Sequence, residues 1–160
     1  MFPAAQVADE LAALGVTHIV WLPDTALGEW ESVLESDPRF KLLRICREGE
    51  AWPLAAGLYM GGAVPLVMIQ TTGLLESGDS LRNTLFDLKV PLFALIGYRS
   101  YLVADSPDSA KRFAGPILDA WGIDYVLLDT PESFPKLSSH WHACREAGKP
   151  GFALLAEGKM

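Results

Sequence analysis

The sequence is poor in the residues that most often advertise a chemistry. Its 160 residues include two cysteines, Cys46 and Cys144, and three histidines, His18, His140 and His142. Two isolated cysteines without a CxxC exclude a disulfide framework and a cysteine-rich zinc site. His140, His142 and Cys144 follow at i, i+2 and i+4, a spacing that does not converge on one point of a helix, so no metal site is expected there. Cations are scarce as well. With 13 Lys and Arg against 20 Asp and Glu the net charge is −7, which leaves no basic patch to displace phosphate counterions and argues against a nucleic-acid partner. No apolar run reaches the ~18 residues that a membrane span needs, because Pro, Gly and charged residues interrupt each one. Met1-Phe2-Pro3-Ala4-Ala5 lacks the basic segment and apolar stretch of a secretion signal, so a cytoplasmic location with reduced thiols is expected. Neither a P-loop nor a dinucleotide fingerprint is present.

What the chain does have is apolar surface. Half of its residues are hydrophobic and its mean hydropathy is +0.20. A subunit interface would account for that surplus, and a monomer with an unusually apolar core is the alternative. The length suits one domain, residues 1–160, with a core of its own. Helical and strand periodicities alternate along it. Helices are predicted over residues 4–14, 27–34, 50–60, 77–88, 111–121 and 131–147, the last interrupted at Pro135. Strands are predicted over 17–22, 41–46, 65–70, 91–97, 124–128 and 151–156. That alternation implies an α/β domain around a mostly parallel sheet of six strands. The loops 22–25 and 70–74 then fall at carboxyl ends of strands, where such sheets open a ligand crevice, and the polar stretch 98–109 forms a third loop.

Several short motifs sit at those ends. Arg47-Glu48-Gly49-Glu50-Ala51 follows a strand whose last residue, Cys46, is expected to be a buried small hydrophobe. Ala55-Ala56-Gly57-Leu58-Tyr59-Met60-Gly61-Gly62 follows in a small-residue helix, with Pro53 tolerated in its first turn. A Glu at a helix start is ordinarily a solvated charge favoured by the helix dipole. Withdrawn from water, it gains an adjustable proton affinity. Gly57, Gly61 and Gly62 would be costly in an isolated helix, and close packing on the sheet plus a C-cap would explain them. Thr71-Thr72-Gly73-Leu74 reads as a strand-end turn. In Leu22-Pro23-Asp24-Thr25, Asp24 or Thr25 suits a helix N-cap. Arg99, Lys111 and Arg112 are expected in surface ion pairs, Asp79 as a helix-start charge, and His18 as a strand residue of the core or edge.

Taken in order, over residues 3–157, these motifs resemble the pyrimidine-binding domain of thiamine diphosphate enzymes, and more narrowly that of sulfopyruvate and phosphonopyruvate decarboxylases. In that family an activating glutamate stands nine residues before the Gly of a Gly-Tyr-like pair, as Glu48 stands before Gly57; the small residue expected two after it comes one step later, at Ala51. Thr72-Gly73-Leu74 is close to the Ser-Gly-Leu-Gly loop of the sulfopyruvate branch, although Leu75 replaces a glycine. Leu22-Pro23-Asp24-Thr25 is similar to a Val-Pro-Asp-Ser step, and Gly97-Tyr98-Arg99 to a Gly-Tyr-Arg step in which Arg99 would meet an anionic group.

The resemblance implies a three-layer fold and a role for each position. Glu48, or alternatively Glu50, would be catalytic, bonding a ring nitrogen of the aminopyrimidine and favouring its imino tautomer. Thr72, Gly73 and Leu74 would line the pyrimidine pocket, and Asp24 and Thr25 would face the substrate. The family's Gly-Asp-Gly and downstream Asn, which hold the diphosphate and its Mg2+, are missing; Gly78-Asp79-Ser80 lacks the second Gly. A partner chain carrying that motif is therefore expected, together with self-association. The implied reaction is decarboxylation of a short anionic 2-oxo acid, such as 3-sulfopyruvate or 3-phosphonopyruvate, to an aldehyde. Carboligation by a synthase-like assembly is the nearest alternative, and a non-catalytic binding or regulatory subunit is another.

Overall fold

A computed structural model describes residues 2–24 and 27–158. Its strands are β1 (His18–Trp21), β2 (Lys41–Arg44), β3 (Pro65–Gln70), β4 (Phe93–Tyr98), β5 (Asp124–Leu128) and β6 (Gly151–Ala156). They form one sheet in the order β2-β1-β3-β4-β6-β5, and every neighbouring pair is parallel. The chain leaves β1 toward one edge and β3 toward the other. The reversal opens a crevice between the carboxyl ends of those two strands.

The helices are α1 (Ala4–Ala13), α2 (Glu31–Ser36), α3 (Ala51–Met60), α4 (Thr71–Glu76), α5 (Gly78–Arg82), α6 (Ser109–Trp121) and α7 (Lys136–Ala147). They cover both faces of the sheet, giving three layers. Ile19, Trp21, Leu66, Met68, Phe93 and Leu95 point to the face covered by α1, α2 and α7. Val20, Val67, Ile69, Ala94, Ile96 and Phe152 point to the face covered by α3, α4, α5 and α6. Two covered faces are why the inner strands carry no polar alternation. Each fully buried Leu or Ile contributes roughly 1.5–3 kcal/mol.

Local departures from the sequence expectations have physical causes. The loop expected over 70–74 is instead the end of β3 and the start of α4 (Thr71–Glu76), because Leu74 is buried in the core and Gly73 is buried against the Glu48 loop. The helix expected over 77–88 is α5 followed by a π turn, Asn83–Asp87, where the Asn83 side-chain amide donates to the Asp79 carbonyl at 3.1 Å. Cys46, expected to be buried, is exposed, because β2 is an edge strand that ends at Arg44. Gly57 does not serve close packing on the sheet: a Cβ there would meet nothing within 4 Å. Gly62 does need its glycine, with φ +87° just past the end of α3.

Candidate active site

Asp24, Glu48, Gly73 and Arg99 all follow carboxyl ends of strands, of β1, β2, β3 and β4 in turn, whereas Gly57 and Gly61 lie toward the amino end of the sheet beside His18. After β2 the extended Arg47 leads into a single 3-10 turn, Glu48–Glu50, which runs into α3. The two neighbouring carboxylates of this turn do different things. Glu50 Oε2 accepts the backbone N–H of Cys46 at 3.0 Å and of Arg47 at 3.4 Å, so it closes the turn. The half-buried Glu48 instead reaches across to α4 and lies directly on Gly73, where any Cβ would overlap its Cγ, Cδ and Oε1.

Glu76, at the end of α4, holds this turn from outside. Its Oε1 lies 2.5 Å from Arg47 Nη2, and its Oε2 accepts the Gly49 N–H at 3.0 Å. The residues on either side of Glu48 are thus tied to the helix that its side chain covers. Beneath them the buried Trp52 Nε1 donates to Ser77 Oγ at 2.8 Å, locking α3 to the α4–α5 junction. A pocket of about 270 Å3, lined by Arg47, Gly49, Glu50, Glu76, Ser77, Asp79 and Ser80, adjoins this arrangement.

The other expected site residues are placed as follows. Thr72 is exposed and its hydroxyl donates to Gln70 Oε1 at 3.4 Å, whereas Leu74 is fully buried. Asp24, after β1, accepts the Leu27 N–H on Oδ1 at 2.8 Å, which is the capping role expected for it. Thr25 lies outside the described residues. Arg99 forms an ion pair with Asp108 at 2.9 Å, and Asp108 also accepts from Ala110 N–H to cap α6. Asp79 lies in the first turn of α5 and pairs with Arg82. Cys144 Sγ is 3.5 Å from His140 Nε2, but His142 is exposed; among the described residues no three His, Cys, Asp or Glu side chains are placed to hold a metal ion.

One group went unnoticed in the sequence. Glu157, the residue after β6, is 3% exposed, and neither carboxyl oxygen has a hydrogen-bond partner. Burial, and then the nearby Asp24 charge, push its carboxyl up to about 7 against the opposing pull of Arg99. It occupies space left by Gly97 of β4, where a Cβ would overlap Oε1. The available signal was a carboxylate immediately after a six-residue apolar strand.

No family model matches the chain. It is 28% identical over 148 residues to the phosphonopyruvate decarboxylase of Streptomyces viridochromogenes, an alignment that covers 91% of this chain and 37% of that protein. It is 24% identical over 124 residues to the sulfopyruvate decarboxylase subunit alpha of Methanocaldococcus jannaschii, covering 76% of this chain and 73% of that one. The crystal structure of benzoylformate decarboxylase from Polynucleobacter necessarius superposes with a TM-score of 0.77 at 21% identity, over 98% of this chain and 30% of that one. The chain thus spans well under half of the phosphonopyruvate decarboxylase it matches. It is similar in sequence to phosphonopyruvate and sulfopyruvate decarboxylases over most of its length, and it has the fold of a segment of benzoylformate decarboxylase.

Proposed function

We propose that this chain is the pyrimidine-binding, α-type subunit of a two-chain, thiamine diphosphate-dependent decarboxylase. Its substrate would be a short anionic 2-oxo acid of the 3-sulfopyruvate or 3-phosphonopyruvate class. The observation that carries the reading is the seat of Glu48 on Gly73. A carboxylate is fixed at the crevice by a turn, an ion pair and a helix, on a glycine that leaves no side chain beneath it. The likeness to a protein named subunit alpha supports the two-chain arrangement.

The residues present suit the aminopyrimidine half of the cofactor. Glu48 would bond a ring nitrogen, with Thr72 and the backbone of Gly73 beside it and Leu74 supporting them from the core. Asp24 and Thr25 would stand toward the substrate. Thiamine diphosphate, when bound, supplies a carbon nucleophile and an acceptor for the electron pair that departing carbon dioxide leaves behind. The chain's own task is to place Glu48 and let its carboxyl give and take one proton at that ring nitrogen. Diphosphate and Mg2+ would be held by the partner.

The exposed Leu54, Met60, Phe86 and Leu88, with the open groove along Gly57 and Gly61, are apolar surface suited to the partner and to a second copy of this chain. The test is to isolate the tagged chain from its native host and assay the complex with both substrates. A stoichiometric partner carrying Gly-Asp-Gly, and aldehyde formation that requires thiamine diphosphate and Mg2+, is the expected result. A stable homo-oligomer indifferent to both cofactors would remove the decarboxylase reading.

A further inference from the structure

A second acid lies at the same end of the sheet, on the opposite face from Glu48. Glu157 is held by its backbone, whose N–H donates to the Tyr98 carbonyl at 3.2 Å and whose C=O accepts from Leu102 N–H at 2.9 Å. Its side chain turns inward over Gly97, whose open side also faces Leu27, and the Leu27 N–H is in turn bonded to the Asp24 carboxylate at 2.8 Å. Gly97 is itself on β4, so the seat is built by three segments of chain.

A carboxylate with both oxygens unpartnered and almost no access to water is strongly disfavoured as an ion. The ionisable groups acting on it are Asp24, from the loop after β1, and Arg99, from the end of β4. The 100–108 segment contributes Asp108, which is paired with Arg99 and so reduces its pull. Two acids in this setting favour a state in which one of them keeps its proton.

We infer that Glu157 is a protonated carboxylic acid in the resting site and forms, with Asp24, an acid pair that holds one exchangeable proton at the substrate end of the crevice. The raised affinity of Glu157 for its proton agrees with the geometry. The use of that proton rests on the decarboxylase reading. A 2-oxo acid anion that loses carbon dioxide must take up one proton to become the aldehyde: RCOCOO⁻ plus H⁺ gives RCHO plus CO2. In the resting pair Glu157 holds the proton and Asp24 is the charge beside it. On turnover the proton passes from Glu157 to Asp24, the Glu157 O–H bond breaking as the Asp24 O–H bond forms. Asp24, in its proposed place toward the substrate, then gives it up to the carbon that lost carbon dioxide. Glu157 is then reprotonated from water. It is a positioning and proton-holding residue, acting through Asp24.

The pair is tested on the full chain, without substrate, by following the side-chain carboxyl carbon of Glu157 with pH. Carbon-13 NMR of the protein, assigned through its backbone, needs no variant. The expected midpoint is near 7, falling by about one pH unit in Asp24→Asn. A midpoint in the ordinary glutamate range near 4.3, or one that Asp24→Asn leaves unmoved, would overturn the pair. Its use is tested in the assembled decarboxylase. Glu157→Gln should lower kcat about 100-fold with KM unchanged and abolish the fall in rate above neutral pH, while Glu157→Asp restores part of both. A kcat profile that Glu157→Gln does not alter would overturn the proton role. An assembly with no decarboxylase activity counts against the function proposed above, and the NMR titration still decides the pair.

Discussion

The Glu48 side chain lies on Gly73 at a distance that leaves no room for a methyl group between them. Gly73 is inside a helix, where alanine is ordinarily preferred by up to ~1 kcal/mol. Gly73→Ala should therefore fold as stably as the parent, or slightly more so, while pushing the Glu48 carboxylate out of place. The assembled enzyme should lose activity by about 100-fold, as expected when a reacting group is misplaced by about an ångström. Thermal melts and steady-state rates on the same preparation check the two halves of this prediction.

Trp52 and Ser77 make a buried hydrogen bond between α3 and the start of α5. Ser77→Ala leaves the indole N–H without its acceptor, at a cost of about 1–3 kcal/mol. Urea denaturation monitored by fluorescence should show a lower midpoint at unchanged slope.

Glu157 makes stability depend on pH. Its folded carboxyl binds a proton more tightly than the unfolded one, so its contribution is full below about 4.5 and is lost as pH rises through about 7. Glu157→Gln cannot ionise. Relative to the parent it should gain stability between pH 5 and pH 8, by at most roughly 3 kcal/mol. Denaturation at the two pH values measures this directly, and equal differences at both would contradict it.

Asp108 caps α6 through Ala110 N–H and pairs with Arg99. Asp108→Ala should cost about 1–2 kcal/mol, most of it from the cap. Asp108→Asn keeps a capping oxygen and should recover most of that loss in a thermal melt, although Arg99 loses its counter-charge.

Much of the fold was legible because each inner strand is a short apolar run between turn residues; 65–70 and 151–156 could hardly be anything else. The strand order was not, since pairing is set by long-range contacts that periodicity does not encode. The loop expected over 70–74 is helical from Thr71, although Thr-Thr-Gly has the composition of a turn. What makes it a helix is Leu74 finding a core and Gly73 a covering carboxylate. Cys46 and Gly57 failed for the same kind of reason: edge position and an outward helix face are tertiary facts. Of the candidate site, the Glu48 turn and the Asp24 cap were visible as motifs. Glu157 was hidden because a lone charge after a strand usually reaches water, and here Gly97 gives it a place inside.

The most direct test of the account is the conservative variant Glu48→Gln in the reconstituted complex, assayed for carbon dioxide release from 3-sulfopyruvate and 3-phosphonopyruvate. The variant should assemble with the same stoichiometry and stability as the parent but turn over several orders of magnitude more slowly. Turnover equal to the parent's would show that Glu48 does not activate the cofactor, and would leave this chain as a binding or regulatory subunit built on the same fold.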